Sequence, residues 1–143
     1  MAGKGRKGGE VDFRTKLVDV KGLHTDIEKI EVIEQKVKRY FRRFASGYVG
    51  ISSNPKNRVR QHNKKILKDQ GDARLAWPIC YVIHQTSSYD QVRRLEKRLT
   101  ALAEARYGEN AWNRRRGGGG RNPKPGARGF IYLLLDPRMT VWT

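Results

Sequence analysis

One segment decides the fold of this chain: residues 48–63, which read YVGISSNPKNRVRQHN. Its first part alternates large and small residues, as a half-buried strand does. The Ser-Asn-Pro sequence at 53–55 then provides a helix N-cap followed by proline at the first helical position. In the predicted helix, Arg58 and His62 are four residues apart and therefore share one face, while Val59 and Ile66 occupy another. We expect a guanidinium and an imidazole to project from the same side, close to Tyr48.

These residues resemble the second motif of the GIY-YIG nuclease family, in which a Tyr-Ile-Gly strand precedes a helix with an essential arginine and often a histidine one turn later. Two further matches follow in the family's order. Glu96, on a predicted helix, is similar to the family's metal-binding glutamate, and Asn113 precedes a glycine-rich stretch as the family's asparagine does. The resemblance spans residues 48–120, about half of the chain. The order of the polar positions makes it more specific than any single motif.

The family's first motif, a Gly-Ile-Tyr strand that pairs with the Tyr-Ile-Gly strand, does not occur shortly before Tyr48. Tyr40 is the only tyrosine upstream, and its surroundings do not resemble the motif. The stretch 129–135, GFIYLLL, is closer to it and would supply Tyr132. Because a sheet depends on which strands are adjacent and not on how they are connected, a strand from the other end of the chain can replace the missing one. Our hypothesis is such a rearranged chain order, with Tyr40 as the alternative.

The resemblance implies a metal-dependent endonuclease that hydrolyses DNA. Hydrolysis of a phosphodiester needs a nucleophilic water, stabilisation of charge at phosphorus and help for the leaving oxygen. Glu96 would hold one divalent ion, Mg²⁺ or Mn²⁺, because hard cations prefer carboxylate oxygens. Arg58 would bind the non-bridging phosphate oxygens through its planar fork. Tyr48 would orient or deprotonate the attacking water, and His62, which is suited to proton transfer at neutral pH, could share that role. Tyr132 completes the predicted catalytic set.

Each of these residues also has a purely structural interpretation. Tyr48 fits a packed strand aromatic, and Arg58 fits one more positive charge in a basic chain. Glu96 has cations on either side, so an ordinary surface ion pair worth ~0.3 kcal/mol explains it. His62 fits an ordinary polar helix position. Only the joint spacing favours a site.

The charge of the chain predicts a polyanionic partner. It contains 31 Lys and Arg against 14 Asp and Glu, for a formal charge of +17 and a pI of about 10.5. We therefore expect nucleic acid, most simply double-stranded DNA, as the partner. An anionic membrane is the rival, but no apolar run approaches a spanning length, so no membrane partner is expected. The predicted nucleic-acid contacts lie in the Arg58 helix and the glycine-rich segment: Lys56, Arg60, Lys64, Lys65, Asn113, Arg114, Arg115, Arg116 and Arg121.

The compartment is predicted from cysteine use and the N-terminal sequence. Cys80 is the single cysteine, it lies in an apolar run, and it is expected in the core. A chain without a disulfide framework and without an apolar signal segment at its start is expected inside the cell, in the cytoplasm or associated with the nucleoid.

The length predicts one domain, residues 11–143, preceded by a flexible basic arm at 1–10. We expect helices over 26–44, after Pro55 and from Ser88 to about Gly108, with a strand over 36–44 as an alternative for the end of the first. Strands are expected over 47–51, 75–85 and 130–135, and a loop over 113–129. The predicted fold class is α/β in the broad α+β sense, with a small, mostly antiparallel sheet flanked by helices.

Two other functions fit parts of the same sequence. The chain could be a basic nucleic-acid-binding protein on a GIY-YIG-like scaffold that has lost cleavage, as the misplaced Gly-Ile-Tyr motif would allow. A ribosomal-type RNA-binding protein fits the charge and the glycine content, but it leaves the ordered series of Tyr48, Arg58, Glu96 and Asn113 unexplained.

Overall fold

The computed structural model describes residues 11–72, 75–108 and 129–138. Along the chain these residues form β1 (Asp12–Thr15), α1 (Asp26–Arg43), β2 (Ser46–Ser52), α2 (Pro55–Gln70), β3 (Ile79–Thr86), α3 (Tyr89–Tyr107) and β4 (Gly129–Asp136). None of the helices in this part of the chain is long and apolar enough to cross a membrane. The predicted arm at 1–10 and most of the predicted loop at 113–129 lie outside the described residues.

The helices begin and end at the residues that the sequence signals. Before α1, the Thr25 hydroxyl accepts a hydrogen bond from the Glu28 amide at 3.2 Å, and the Glu28 carboxylate accepts one from the Thr25 amide at 3.1 Å, which completes a capping box. The Asn54 side chain caps α2 by accepting a hydrogen bond from the Asn57 amide, and the Ser88 side chain caps α3 by accepting one from the Gln91 amide. Gly71 ends α2 in the left-handed conformation, with φ +66°, which costs glycine little.

The strand alternative for residues 36–44 is wrong. α1 continues to Arg43, and its buried residues Ile30, Ile33, Val37 and Tyr40 recur at steps of three and four. That spacing keeps one face of a helix against the sheet, whereas a strand would require alternation.

The sheet has the strand order β1-β3-β4-β2, in which β1 and β3 are parallel and the other two pairs are antiparallel. The predicted α+β class with a small, mostly antiparallel sheet is therefore confirmed. β1 itself was not predicted, because its sequence, Asp-Phe-Arg-Thr, contains one apolar residue and no alternating pattern.

The strand predicted over 75–85 begins only at Ile79. Leu75 and Trp77 are buried, but in a turn and not in the sheet. Trp77 is held there by the Asn63 side chain on α2, which accepts from the Trp77 amide at 2.7 Å and donates to the Trp77 carbonyl at 3.0 Å. The apolar residues before Ile79 thus belong to a loop that hydrogen bonds from Asn63 hold in place, and not to the predicted strand.

The sheet separates two hydrophobic cores. α1 and α3 pack on one face, against residues such as Val49, Ile131 and Leu133. α2 packs on the other face, together with Trp77 and Cys80. Cys80 is fully buried, as expected, and burial raises the pKa of its thiol.

The pair formed by β2 and β4 places the C-terminal strand beside Tyr48. Tyr48 lies opposite Leu134, and Gly50 lies opposite Tyr132. The Tyr132 ring covers Gly50 so closely that a Cβ atom there would stand 2.2 Å from the ring carbon Cζ. Only glycine permits this approach. The predicted adjacency of the 129–135 strand and the Tyr48 strand is thus observed.

We predict that Gly50→Ala lowers the free energy of unfolding by about 3 kcal/mol, because the added methyl group displaces a fully buried ring. Gly47→Ala on the same strand is the comparison, since its Cβ would meet Phe41 Cε1 at 2.9 Å and should cost less. Denaturant unfolding measures both variants. Equal stability of Gly50→Ala and the parent would contradict the close packing of Tyr132 on β2.

Candidate active site

Three rings from β2, β4 and α2 meet on one face of the sheet. The Tyr132 hydroxyl lies 3.4 Å from His62 Nε2, and the rings of Tyr48 and His62 meet edge to face with centroids 5.4 Å apart. Their exposed fractions are 1% for Tyr132, 4% for His62 and 8% for Tyr48. Tyr132 is far from Tyr48 and His62 in the sequence, and the pairing of β4 with β2 brings the three residues together.

The position of His62 on α2 differs from the prediction. It was expected on a separate face from Val59 and Ile66, but all three are buried, together with Asn63. His62 follows Val59 by three residues and precedes Ile66 by four, so it lies within the packed side of the helix. Arg58 is half-buried at the margin of that side.

Arg58 influences both tyrosines. Burial raises the pKa of Tyr48 and of Tyr132, and the positive charge of Arg58 opposes that rise in each case. The Arg58 Nε atom is buried and has no hydrogen-bond partner within the described residues, while Nη1 donates to Gln61 Oε1 at 3.4 Å. The guanidinium therefore lies close to both phenols, and a hydrogen bond from Arg58 to Tyr132 also lowers the pKa of that phenol.

The two phenols remain protonated near neutral pH, since desolvation disfavours their charged forms. They can donate and accept hydrogen bonds but are poorly suited to act as bases. The imidazole of His62, which contacts both rings, is the side chain of this cluster whose type is suited to proton transfer.

Glu96 lies on α3, a helix that packs on the opposite face of the sheet from the three rings, and it is half-buried. Burial raises the pKa of its carboxyl group, and Arg93 opposes the rise. The Glu96 charge in turn raises the pKa of Tyr48, after the larger effects of burial and of Arg58. The attraction of Arg93 acts as the ordinary ion-pair interpretation expects, but burial has the larger effect on this carboxyl group.

Glu96 is the carboxylate that the sequence assigns to a metal ion. Within residues 11–72, 75–108 and 129–138, no group of three or more His, Cys, Asp or Glu side chains could hold a metal. A single carboxylate with water ligands is an arrangement that Mg²⁺ accepts.

The remaining predicted residues divide into two groups. Lys56, Arg60, Lys64 and Lys65 are all exposed on α2. The others, Asn113, Arg114, Arg115, Arg116 and Arg121, lie outside the described residues. Tyr40, the alternative to Tyr132, belongs to the α1 and α3 core and packs edge to face on Tyr81 at 5.2 Å.

Two supporting residues were missed by the sequence analysis. Trp77 lies beside Tyr48, with ring centroids 6.4 Å apart, and Asn63 fixes its backbone. The signal for Asn63 was present, because it follows Val59 by four residues on the apolar side of α2. A polar side chain on the buried side of a helix needs a hydrogen-bond partner inside the protein.

The raised pKa of Glu96 predicts a stability cost at neutral pH. The folded chain disfavours the ionised carboxyl group relative to the unfolded chain, so the cost is complete above the raised pKa and disappears as the pH falls below the ordinary glutamate range. Glu96→Gln should therefore raise the melting temperature at pH 7 but not at about pH 3.5. Glu104→Gln, at an exposed position of the same helix, is the control. A lower melting temperature for Glu96→Gln at pH 7 would contradict the desolvation of this carboxylate.

The comparison with known families agrees with this geometry. The GIY-YIG catalytic domain matches residues 32–110, more than half of the chain. The match begins within α1, includes Tyr48, Arg58, His62 and Glu96, and ends before β4. No curated protein and no solved structure matches the chain significantly. The chain belongs to the GIY-YIG nuclease family.

Proposed function

We propose that this protein is a divalent-metal-dependent endonuclease that hydrolyses phosphodiester bonds in DNA, with Tyr48, Arg58, His62, Glu96 and Tyr132 as its catalytic residues. The observation that supports this most strongly is the meeting of Tyr132 with His62 at 3.4 Å. In this proposal, Tyr132 on β4 takes the place of the tyrosine of the family's first motif.

Arg58 binds the scissile phosphate in this proposal. Its guanidinium lies at the edge of the buried rings, and the buried Nε lacks a hydrogen-bond partner among the residues described. The side chain is half-buried, so its exposed part can meet a phosphate, and the planar fork can make two parallel bonds to the non-bridging oxygens.

Glu96 would hold the divalent ion, Mg²⁺ or Mn²⁺. Its desolvated carboxylate is only partly compensated by Arg93, and a hard cation prefers such an oxygen donor. When bound, the ion would polarise the phosphate and stabilise negative charge on the leaving oxygen.

The buried rings would activate and orient water. His62 accepts a proton from the water, and the hydroxyl groups of Tyr48 and Tyr132 orient it, because both remain protonated. The water oxygen forms a bond to phosphorus as the bond from phosphorus to the 3′ oxygen breaks. The leaving oxygen takes a proton from solvent, and the products are a 5′-phosphate and a 3′-hydroxyl.

A second candidate function is nucleic-acid binding without cleavage. The 1% exposure of Tyr132 favours it, because a ring so covered has no direct access to a large substrate. If the protein does cleave DNA, the scissile phosphate would have to approach the ring cluster from the side of Arg58, which is half-buried and not fully covered.

We predict that the purified chain nicks supercoiled plasmid with Mg²⁺ and not with EDTA. Glu96→Gln should lower the rate at least 100-fold, because it removes the negative charge that binds the ion. Glu104→Gln removes the same charge from an exposed position on α3 and should retain the parent rate. Equal rates for Glu96→Gln and the parent would exclude Glu96 as the metal ligand, and no nicking by the parent would favour the binding protein.

The fork of Arg58 gives a separate prediction. Arg58→Lys keeps the charge but loses the two parallel hydrogen bonds, so turnover at saturating DNA should fall at least tenfold. Arg39→Lys, at an exposed position on α1, should leave turnover unchanged. If both variants turn over like the parent, Arg58 contributes only a general positive field.

A further inference from the structure

The outer face of α2 carries a row of four cations, Lys56, Arg60, Lys64 and Lys68, which we call the α2 row. Each follows the previous one by four residues, so they lie on one side of the helix, and all four are exposed. The row is about 18 Å long at 1.5 Å per residue.

The stability of α2 does not explain this row. None of the four cations has an ion-pair partner among the described residues. The first turn of α2 has no acidic residue, and Lys56 lies there, where the helix dipole disfavours positive charge. By contrast, the first turn of α1 contains Asp26 and Glu28. Like charges four residues apart also repel each other.

Several cations on the other helices have structural partners. Arg98 pairs with Glu34 at 2.9 Å, and Arg93 lies 5.7 Å from the ring centre of Tyr89. Arg42 and Arg43 occupy the last turn of α1, where the dipole favours them. Lys68 has the same dipole explanation in the last turn of α2, so Lys56, Arg60 and Lys64 are the members of the row without such a contact in the part of the chain described.

The α2 row lies next to the candidate active site along the helix. It begins in the turn that carries Arg58 and continues beyond His62 toward the end of α2. Successive phosphates of one strand are farther apart than their axial rise of about 3.4 Å, because the strand winds around the duplex. A straight row of about 18 Å can therefore follow at most one phosphate per cation.

We infer that the α2 row binds up to four successive phosphates of one DNA strand, one per cation, on one side of the phosphate that Arg58 holds. This inference rests on the proposed function for the identity of the substrate. Such contacts position the backbone without reading bases, so they confer affinity on all sequences.

The test is the salt dependence of binding to a duplex oligonucleotide, measured in EDTA so that cleavage does not interfere. Replacing all four residues of the row by glutamine should flatten the slope of log K against log salt by about three to four units, at 0.9 per phosphate contact. The control replaces Lys38, Arg39, Arg42 and Arg43 by glutamine, which removes the same charge from the helix on the other face of the sheet. It should flatten the slope by less than one unit.

Equal slopes for the two variants would overturn the inference, because a general positive field would then explain binding. The melting temperature of the row variant should match or exceed that of the parent, since repulsion is relieved. If that variant does not fold, Lys64→Gln/Lys68→Gln should flatten the slope by about half as much, and an unchanged slope would overturn the inference equally.

The two proposals fail in different ways. A parent chain that binds with a row-dependent slope but never cuts contradicts the proposed function alone. A parent that cuts, with a row variant that keeps the parent's slope, contradicts the role of the row alone. A parent that neither binds nor cuts contradicts both.

Discussion

The close contact between the Tyr132 ring and Gly50 is the constraint on which the site depends. A side chain at position 50 would occupy the space of the Tyr132 ring. Because residue 50 is glycine, β4 can pair with β2 while the Tyr132 ring covers the backbone of Gly50. That placement brings the Tyr132 hydroxyl to His62 and encloses His62 between two phenols. The glycine is therefore needed for the geometry of the site as well as for the packing of the sheet.

Chain order in this protein differs from what the family's motifs predict, whereas strand adjacency does not. The strand that resembles Gly-Ile-Tyr comes last, yet it lies beside the Tyr48 strand in antiparallel register. A sheet is stabilised by the strands that touch, and different connections can produce the same neighbours. The family match ends at residue 110 and so does not include β4, although β4 completes the ring cluster.

Local signals in the sequence predicted the helices and three of the strands, because caps and periodicity act over a few residues. Asn54 and Ser88 marked helix starts in this way. The sequence could not show β1, whose pairing with β3 depends on a distant strand, nor the loop at Trp77, which depends on hydrogen bonds to Asn63. His62 was placed on the wrong side of α2 because periodicity treats a histidine as polar, whereas here it packs among rings. Tyr132 was found through its motif, and its contact with His62 required the structure.

The central claim, that Tyr132 and not Tyr40 is the tyrosine of the missing motif, is tested most directly by single-turnover cleavage of DNA by Tyr132→Phe and Tyr40→Phe. Each change removes one hydroxyl group and keeps the ring, so packing on Gly50 and on Tyr81 is preserved. The account predicts that Tyr132→Phe cleaves at least 100-fold more slowly than the parent, while Tyr40→Phe cleaves at the parent rate. A slow Tyr40→Phe beside a fully active Tyr132→Phe would contradict it.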